Sequence, residues 1–98
     1  MALTYRLTYH PDVMSDDIPK LDRTMASRIK TALEQKLQTQ PTIFGKPLQH
    51  SLKGCRTLRI SEYRAVFLIE KAATIYIIAI LHRSVVYDFL KSNPRLKA

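Results

Sequence analysis

Ninety-eight residues give room for one hydrophobic core in a single domain spanning residues 1–98, burying roughly two thirds of the unfolded chain's surface. Apolar residues make up 46% of the chain, which excludes a disordered tail; Cys55, the one cysteine, excludes an internal disulfide and a thiolate zinc site. The longest apolar run, Ile75 to Leu81, is too short to cross a bilayer and no basic, then apolar, leader opens the chain, so a cytoplasmic protein with no membrane partner is expected, and its net charge of +8 suits a polyanionic one.

Leu3, Tyr5, Leu7 and Tyr9 alternate with Thr4, Arg6 and Thr8, the period of a strand with one buried face. His10-Pro11-Asp12 ends it and opens a short helix to about Asp17, which Ile18-Pro19 interrupts because the ring disfavours helical geometry at Ile18. A second helix starts near Pro19 or Asp22. It carries Leu21, Met25, Ile29, Leu33 and Leu37 at successive i+4 steps, a stripe that reads as core in so small a chain, and Pro41 stops it. Phe44 to Leu48 is turn material. Arg56 to Ser61, Tyr63 to Glu70 and Thr74 to His82 then read as an antiparallel meander, with Lys71-Ala72-Ala73 as its last turn. The third of these is apolar on both faces and should be the most buried strand. Val85 to Leu90 adds a short helix before a polar tail from Lys91. The expected fold is thus α+β, in the order β-α-α-β-β-β with a short C-terminal helix.

Charge is unevenly spread. Between Gln35 and Ser61 there is no acidic residue, while Lys36, Lys46, Lys53, Arg56 and Arg59 fall there and Arg64 follows; Asp12, Asp16, Asp17 and Asp22 lie in the first quarter. A basic half of this kind suits RNA, with a merely solubilising face as the competing reading. Alternation places Arg59 opposite to Leu58 and Ile60, and Arg64 with Val66 and Leu68. An arginine in a half-apolar strand is costly unless solvated or paired, so Arg64 lines a cleft, meets an anion, or bridges to Glu62 or Glu70. His82, Arg83 and Tyr87 follow at the end of the last strand. Arginine's planar fork matches two phosphate oxygens, histidine moves protons near neutral pH, and tyrosine stacks on bases or donates a proton. His10, His50 and His82 are dispersed without a carboxylate cluster, which argues against a metal site, and two glycines cannot build a phosphate-cradling loop, so no cofactor is expected.

The string Pro41-Thr42-Ile43-Phe44-Gly45-Lys46-Pro47-Leu48, then Ser51-Leu52-Lys53-Gly54, Leu58-Arg59-Ile60-Ser61-Glu62-Tyr63-Arg64-Ala65-Val66-Phe67, and Ile80-Leu81-His82-Arg83 with Val86-Tyr87, resembles the RelE branch of the RelE/ParE toxin superfamily over almost the whole chain. The resemblance implies a RelE-like fold, with two N-terminal helices packed on a twisted antiparallel sheet. It also implies the toxin of a type II toxin–antitoxin pair, in a hetero-oligomer with a cognate antitoxin. RelE-like members enter the ribosomal A site and cut mRNA without metal, the ribose 2′-OH attacking the adjacent phosphate to give a 2′,3′-cyclic phosphate. By position, Arg64 matches the hairpin arginine that holds the scissile phosphate, Arg83 the arginine near the end of the last strand, Tyr87 the tyrosine that orients a base, and Arg59 a basic strand position.

Two lysines of that pattern fall on Cys55 and Thr57, with Lys53 and Arg56 as displaced RNA-binding substitutes. Arg56 would face away from Arg59, and proton transfer would pass to His82 or Tyr87, since arginine stays protonated. The missing lysines favour a ParE-like gyrase poison without nuclease activity as one alternative. A catalytically degenerate, antitoxin-bound RNA-binding or regulatory protein is the other.

Overall fold

The period-two runs and the i+4 stripe assemble into one mixed sheet with helices on both faces in a computed structural model of the chain, which describes residues 4–47, 54–92 and 95. Strands β1 (Arg6–Tyr9), β2 (Lys46–Pro47), β3 (Arg56–Ile60), β4 (Tyr63–Glu70) and β5 (Thr74–His82) lie in the order β1-β5-β4-β3-β2. β2 to β5 are joined antiparallel, as the meander requires, and β1 adds to the outer side of β5 in parallel, Leu7 facing Ile75 and Tyr9 facing Ile77. A parallel neighbour needs a long crossover, which the helical segment between β1 and β2 provides. β5 is therefore the interior strand next to the edge, and Ile75, Ile77, Ile78, Ala79 and Ile80 are buried. Lys53 and Leu48 to Ser51 lie outside the described residues.

The stripe residues carry one layer. Asp22 caps helix α1 (Arg23–Ala32) by accepting the Met25 N–H at 2.7 Å, and the helix runs on into a wider, π-type turn over Leu33–Leu37. Strict i+4 spacing drifts by roughly 40° per step around an ordinary α-helix. The wide turn, closed by Gln38 N–H donating to Leu33 O at 3.3 Å, reverses that drift. Ile29, Leu33 and Leu37 thus all reach the sheet, fully buried against Leu58, Ile60, Ala65, Phe67, Ile75, Ile77 and Ile80.

The other face of the sheet is covered by helix α3 (Val86–Ser92). Val86 packs with Cys55, Val66, Ile78 and Ala79, and Phe89 and Leu90 lean on the same group. The two layers meet β5 differently along its length because of a bulge: Val66 pairs with Ala79 and Phe67 with Ile77, leaving Ile78 as an extra residue. Ile78 and Ala79 consequently turn to the same face, and the phase reverses. Ile75 and Ile77 face α1 before the bulge; Ile80 does so after it.

Three local expectations change. Pro19 does not interrupt at Ile18, which stays helical at φ −63°, ψ −44°; the chain leaves the helical region at Leu21, after a π-type turn over Val13–Asp17 and a 3-10 turn over Ile18–Lys20. The residue before proline is biased against this geometry, not barred from it, and here Asp17 is held by other contacts. Pro41–Phe44 forms a helical turn, α2, with proline at its start, and Lys46–Pro47 pairs with β3 where turn material was expected. Gly45 makes that path possible: a Cβ there would sit 2.8 Å from Phe67 Cε1 and from Pro41 O.

The third change concerns the tail. Arg95 is drawn in, its side chain 10% exposed and forked onto Asp17, which is itself buried: Nη1 donates to Oδ2 at 2.7 Å and Nη2 to Oδ1 at 3.0 Å. Where β1 stops at Tyr9, the open edge of β5 still carries Ile78 O and Ile80 N–H. Arg95 Nη1 donates to the first at 3.1 Å and Asp17 accepts from the second at 2.9 Å, so the ion pair completes the sheet edge. The hydrogen bond that Arg95 donates to Asp17 raises the Arg95 pKa above its ordinary value against the opposing effect of burial, and the carboxylates of Asp12 and Asp16 add to it. Arg95→Ala should cost about 3 kcal/mol in urea unfolding, because it leaves the Asp17 carboxylate buried without a cation; Asp17→Ala should cost less, since Asp12 and Asp16 remain beside Arg95, and the double variant should cost less than the sum.

Candidate nucleic-acid interface

The β3–β4 turn, the end of β5 and the start of α3 converge on one corner of the sheet. In the β3–β4 ladder Arg59 stands directly opposite Arg64, and Arg64 opposite Leu81, so all three side chains share the face that α3 covers further along. The bulge sets this up: without the phase change, Leu81 would turn to the α1 face and the row would be broken. A cleft of about 390 Å³ opens at this corner, lined by Arg64, His82, Arg83, Ser84, Val86 and Tyr87.

Each cation at this corner is held differently. Arg64 is half-buried and its Nη1 donates to Tyr63 O at 3.0 Å and Ser61 O at 3.4 Å. The expected bridge from Arg64 to Glu62 or Glu70 is not formed; Glu62 Oε2 instead accepts from Arg83 Nε at 2.7 Å, and the Arg83 N–H donates to Glu62 O at 2.8 Å. Arg59 is exposed and, among the described residues, neither it nor Arg64 makes an ion pair. Two arginines face each other across a ladder with no carboxylate between them, a repulsive arrangement that an anion would relieve.

His82 and Tyr87 differ sharply in freedom. His82 pairs in register with Tyr63 and meets its ring edge-on, centroids 5.4 Å apart, so the imidazole is anchored on the opposite face of the sheet from Arg64 although the residue borders the cleft. Its Nδ1 accepts the Ser84 N–H at 3.2 Å and lies 2.8 Å from Ser84 Oγ. An accepting Nδ1 places the neutral ring's proton on Nε2, which makes Nε2 a donor and leaves no free lone pair for taking a proton. Tyr87, 70% exposed on the first turn of α3, is open to a stacking base.

Of the other residues expected at the site, Arg56 is not brought to the cleft. It pairs with Phe67 on the α1 face of the ladder, with its Nε buried and lacking a hydrogen-bond partner. Lys53 lies outside the described residues. Glu62 was expected only as a partner for Arg64, not for Arg83, and Ser84 was missed: a serine two places after a histidine carries no sequence pattern of its own. Among the described residues no group of three or more His, Cys, Asp or Glu could hold a metal ion, and no helix is long and apolar enough to cross a membrane. Removing half of the repulsive pair tests the electrostatics of the corner: Arg59→Thr should leave stability unchanged or raise it by up to about 1 kcal/mol in urea unfolding, where an ordinary strand-packing residue would lose stability.

Residues 6–87 match the model of the ParE toxin of type II toxin–antitoxin systems. No curated protein matches by sequence. Among solved structures, the chain is similar to the RelBE2 toxin–antitoxin complex from Mycobacterium tuberculosis, with 24% identity and a TM-score of 0.70 over 82% of this chain and 99% of that one. It is also similar to the isolated E. coli RelE toxin, with 22% identity, a TM-score of 0.64 and coverage of 90% and 96%, and to the intact E. coli RelBE complex, with 20%, 0.65, 80% and 95%. At these identities the structures establish the fold, which is RelE-like, and the family match extends over both ladders of the cleft. The chain belongs to the ParE toxin family of type II toxin–antitoxin systems, within the RelE/ParE superfamily.

Proposed function

We propose that this toxin is a ribosome-dependent mRNA endoribonuclease, kept inactive by a cognate antitoxin in a hetero-oligomer. The observation that supports it best is the convergence of Arg64, Arg83 and the exposed Tyr87 on one open cleft. Attack of a ribose 2′-oxygen on the adjacent phosphorus forms the 2′,3′-cyclic phosphate and breaks the bond to the 5′-oxygen, with a proton leaving the 2′-OH and one reaching the departing 5′-oxygen. Negative charge grows on the phosphoryl oxygens in between. Arg64, oriented by two backbone carbonyls, and Arg83 supply fixed donors for that charge, which is where preorganisation lowers a barrier most. Tyr87 stacks on the neighbouring base, and Arg59 follows the RNA backbone.

Tyr87 is the proton donor to the departing 5′-oxygen, ahead of His82, and the 2′-OH proton leaves to water. With Nδ1 engaged by Ser84, neutral His82 can donate a hydrogen bond from Nε2 that steadies the leaving oxygen, without giving up that proton or accepting the one from the 2′-OH. A toxin limited in this way would be slow off the ribosome.

The ParE family match favours a second reading, a gyrase poison without nuclease activity. Expression in cells with mapping of RNA 5′ ends separates the two. The expected result is growth arrest with new ends inside reading frames, lost in both Arg64→Ala and Arg83→Ala while the variants still unfold cooperatively. Arrest with unchanged mRNA and inhibited gyrase supercoiling would establish the second reading in its place, and normal growth without antitoxin would point to a degenerate regulatory protein.

A further inference from the structure

Of the three arginines at this corner, Arg59, Arg64 and Arg83, only Arg83 has a carboxylate partner among the described residues, and that partner sits in the β3–β4 turn, two residues before Arg64. Glu62 is tied to Arg83 twice: it accepts the Arg83 N–H through its backbone oxygen at 2.8 Å and Nε through Oε2 at 2.7 Å. The turn that presents it is constrained. Ile60 pairs with Tyr63, so Ser61 and Glu62 alone reverse the chain, with Ser61 at φ +54°, in the left-handed region that a serine adopts at a cost. Arg64 donates back to Ser61 O across the same turn. The backbone therefore holds the carboxylate beside the guanidinium, and the side-chain contact does not have to search for its geometry.

The same Nε–H is a donor that a phosphate would need, and a carboxylate is the protein's own version of that ligand. We infer that Glu62 is a built-in competitor for Arg83: it neutralises this arginine in the free toxin, and an RNA phosphate must displace its carboxylate to use Arg83 fully. This rests on the reading of the cleft as an RNA site. Both side chains are more than half exposed, at 61% and 55%, so the contact is weak enough to exchange. A competitor of this strength trades general polyanion binding for selectivity. Loose RNA phosphates meet a cleft carrying one cation fewer, whereas a strand held in place by other contacts can drive the exchange. Glu62 is in these terms a positioning and specificity residue acting through Arg83, not a group that touches the reacting atoms.

Glu62→Gln tests this, since glutamine keeps the shape and an acceptor oxygen while removing the charge. Fluorescence anisotropy with a single-stranded RNA oligonucleotide carrying a 2′-O-methyl group at each position, to prevent cleavage, would compare the wild type, E62Q, Arg83→Ala and the E62Q/Arg83→Ala double variant across a salt series. The expected result is about two- to fivefold tighter binding by E62Q at low salt, and a plot of log affinity against log salt steeper by about 0.7. Both gains should vanish on the Arg83→Ala background. Equal or weaker binding by E62Q, or the same gain with Arg83 removed, would overturn the inference while leaving the RNA site standing. Failure of the wild type itself to bind the oligonucleotide more tightly than Arg64→Ala does would overturn both.

Discussion

The extra residue in β5 is the constraint on which the rest depends. Five buried residues, Ile75 and Ile77 to Ile80, must serve two cores from one strand, and strict alternation would commit them to fixed faces from end to end. Placing Ile78 and Ala79 on the same side lets Ile75 and Ile77 pack under α1 in the first half while Ile80 takes that face in the second. The reversal carries on to the strand's end. Leu81 thereby joins the row with Arg64 and Arg59, and His82 turns to Tyr63. On the other side of β5, beyond the point where β1 stops at Tyr9, Asp17 and Arg95 satisfy the open backbone groups of Ile80 and Ile78.

Those contacts link the two ends of the chain to its middle. Asp17 and Arg95 lie 78 residues apart, and both reach the backbone of β5 between Ile78 and Ile80, within a few residues of His82 and Arg83. Arg95 is further placed over the Phe89 ring at 5.3 Å, which fixes the end of α3 on the same edge. The acidic first quarter of the sequence thus has a structural use, gathering Asp12, Asp16 and Asp17 round one arginine, while Arg59 and Arg64 stand without a carboxylate partner among the described residues near the end of β5. The charge asymmetry is a division of labour between an edge that holds the fold and a corner that suits a phosphate.

Much of this was legible in the sequence. β3, β4 and β5 stand where β-branched and aromatic runs with short turns place them, and the i+4 stripe marks the helical layer, because both signals come from local periodicity under burial. The parallel docking of β1 and the bulge were not legible. A strand apolar on both faces hides its own phase, and Ile78 looks no different from its neighbours. Arg95 read as tail because a partner 78 residues distant leaves no local pattern. At the cleft, Arg64, Arg83 and Tyr87 were found by strand ends and spacing. The roles of Glu62 and Ser84 depend on a two-residue turn and a ring nitrogen's acceptor, which only geometry reveals.

The central claim is that the corner formed by the β3–β4 turn, the end of β5 and the start of α3 is where RNA sits. NMR of selectively labelled protein reads it most directly, by following arginine Nε–H and tyrosine ring resonances during titration with a short RNA that cannot be cleaved. The expected result is that Arg64, Arg83 and Tyr87 shift together and saturate at one concentration, with Arg59 following, while Arg6, Arg23 and Arg28 stay still. Shifts confined to the helical-face arginines Arg23 and Arg28, with the cleft resonances unmoved, would contradict it.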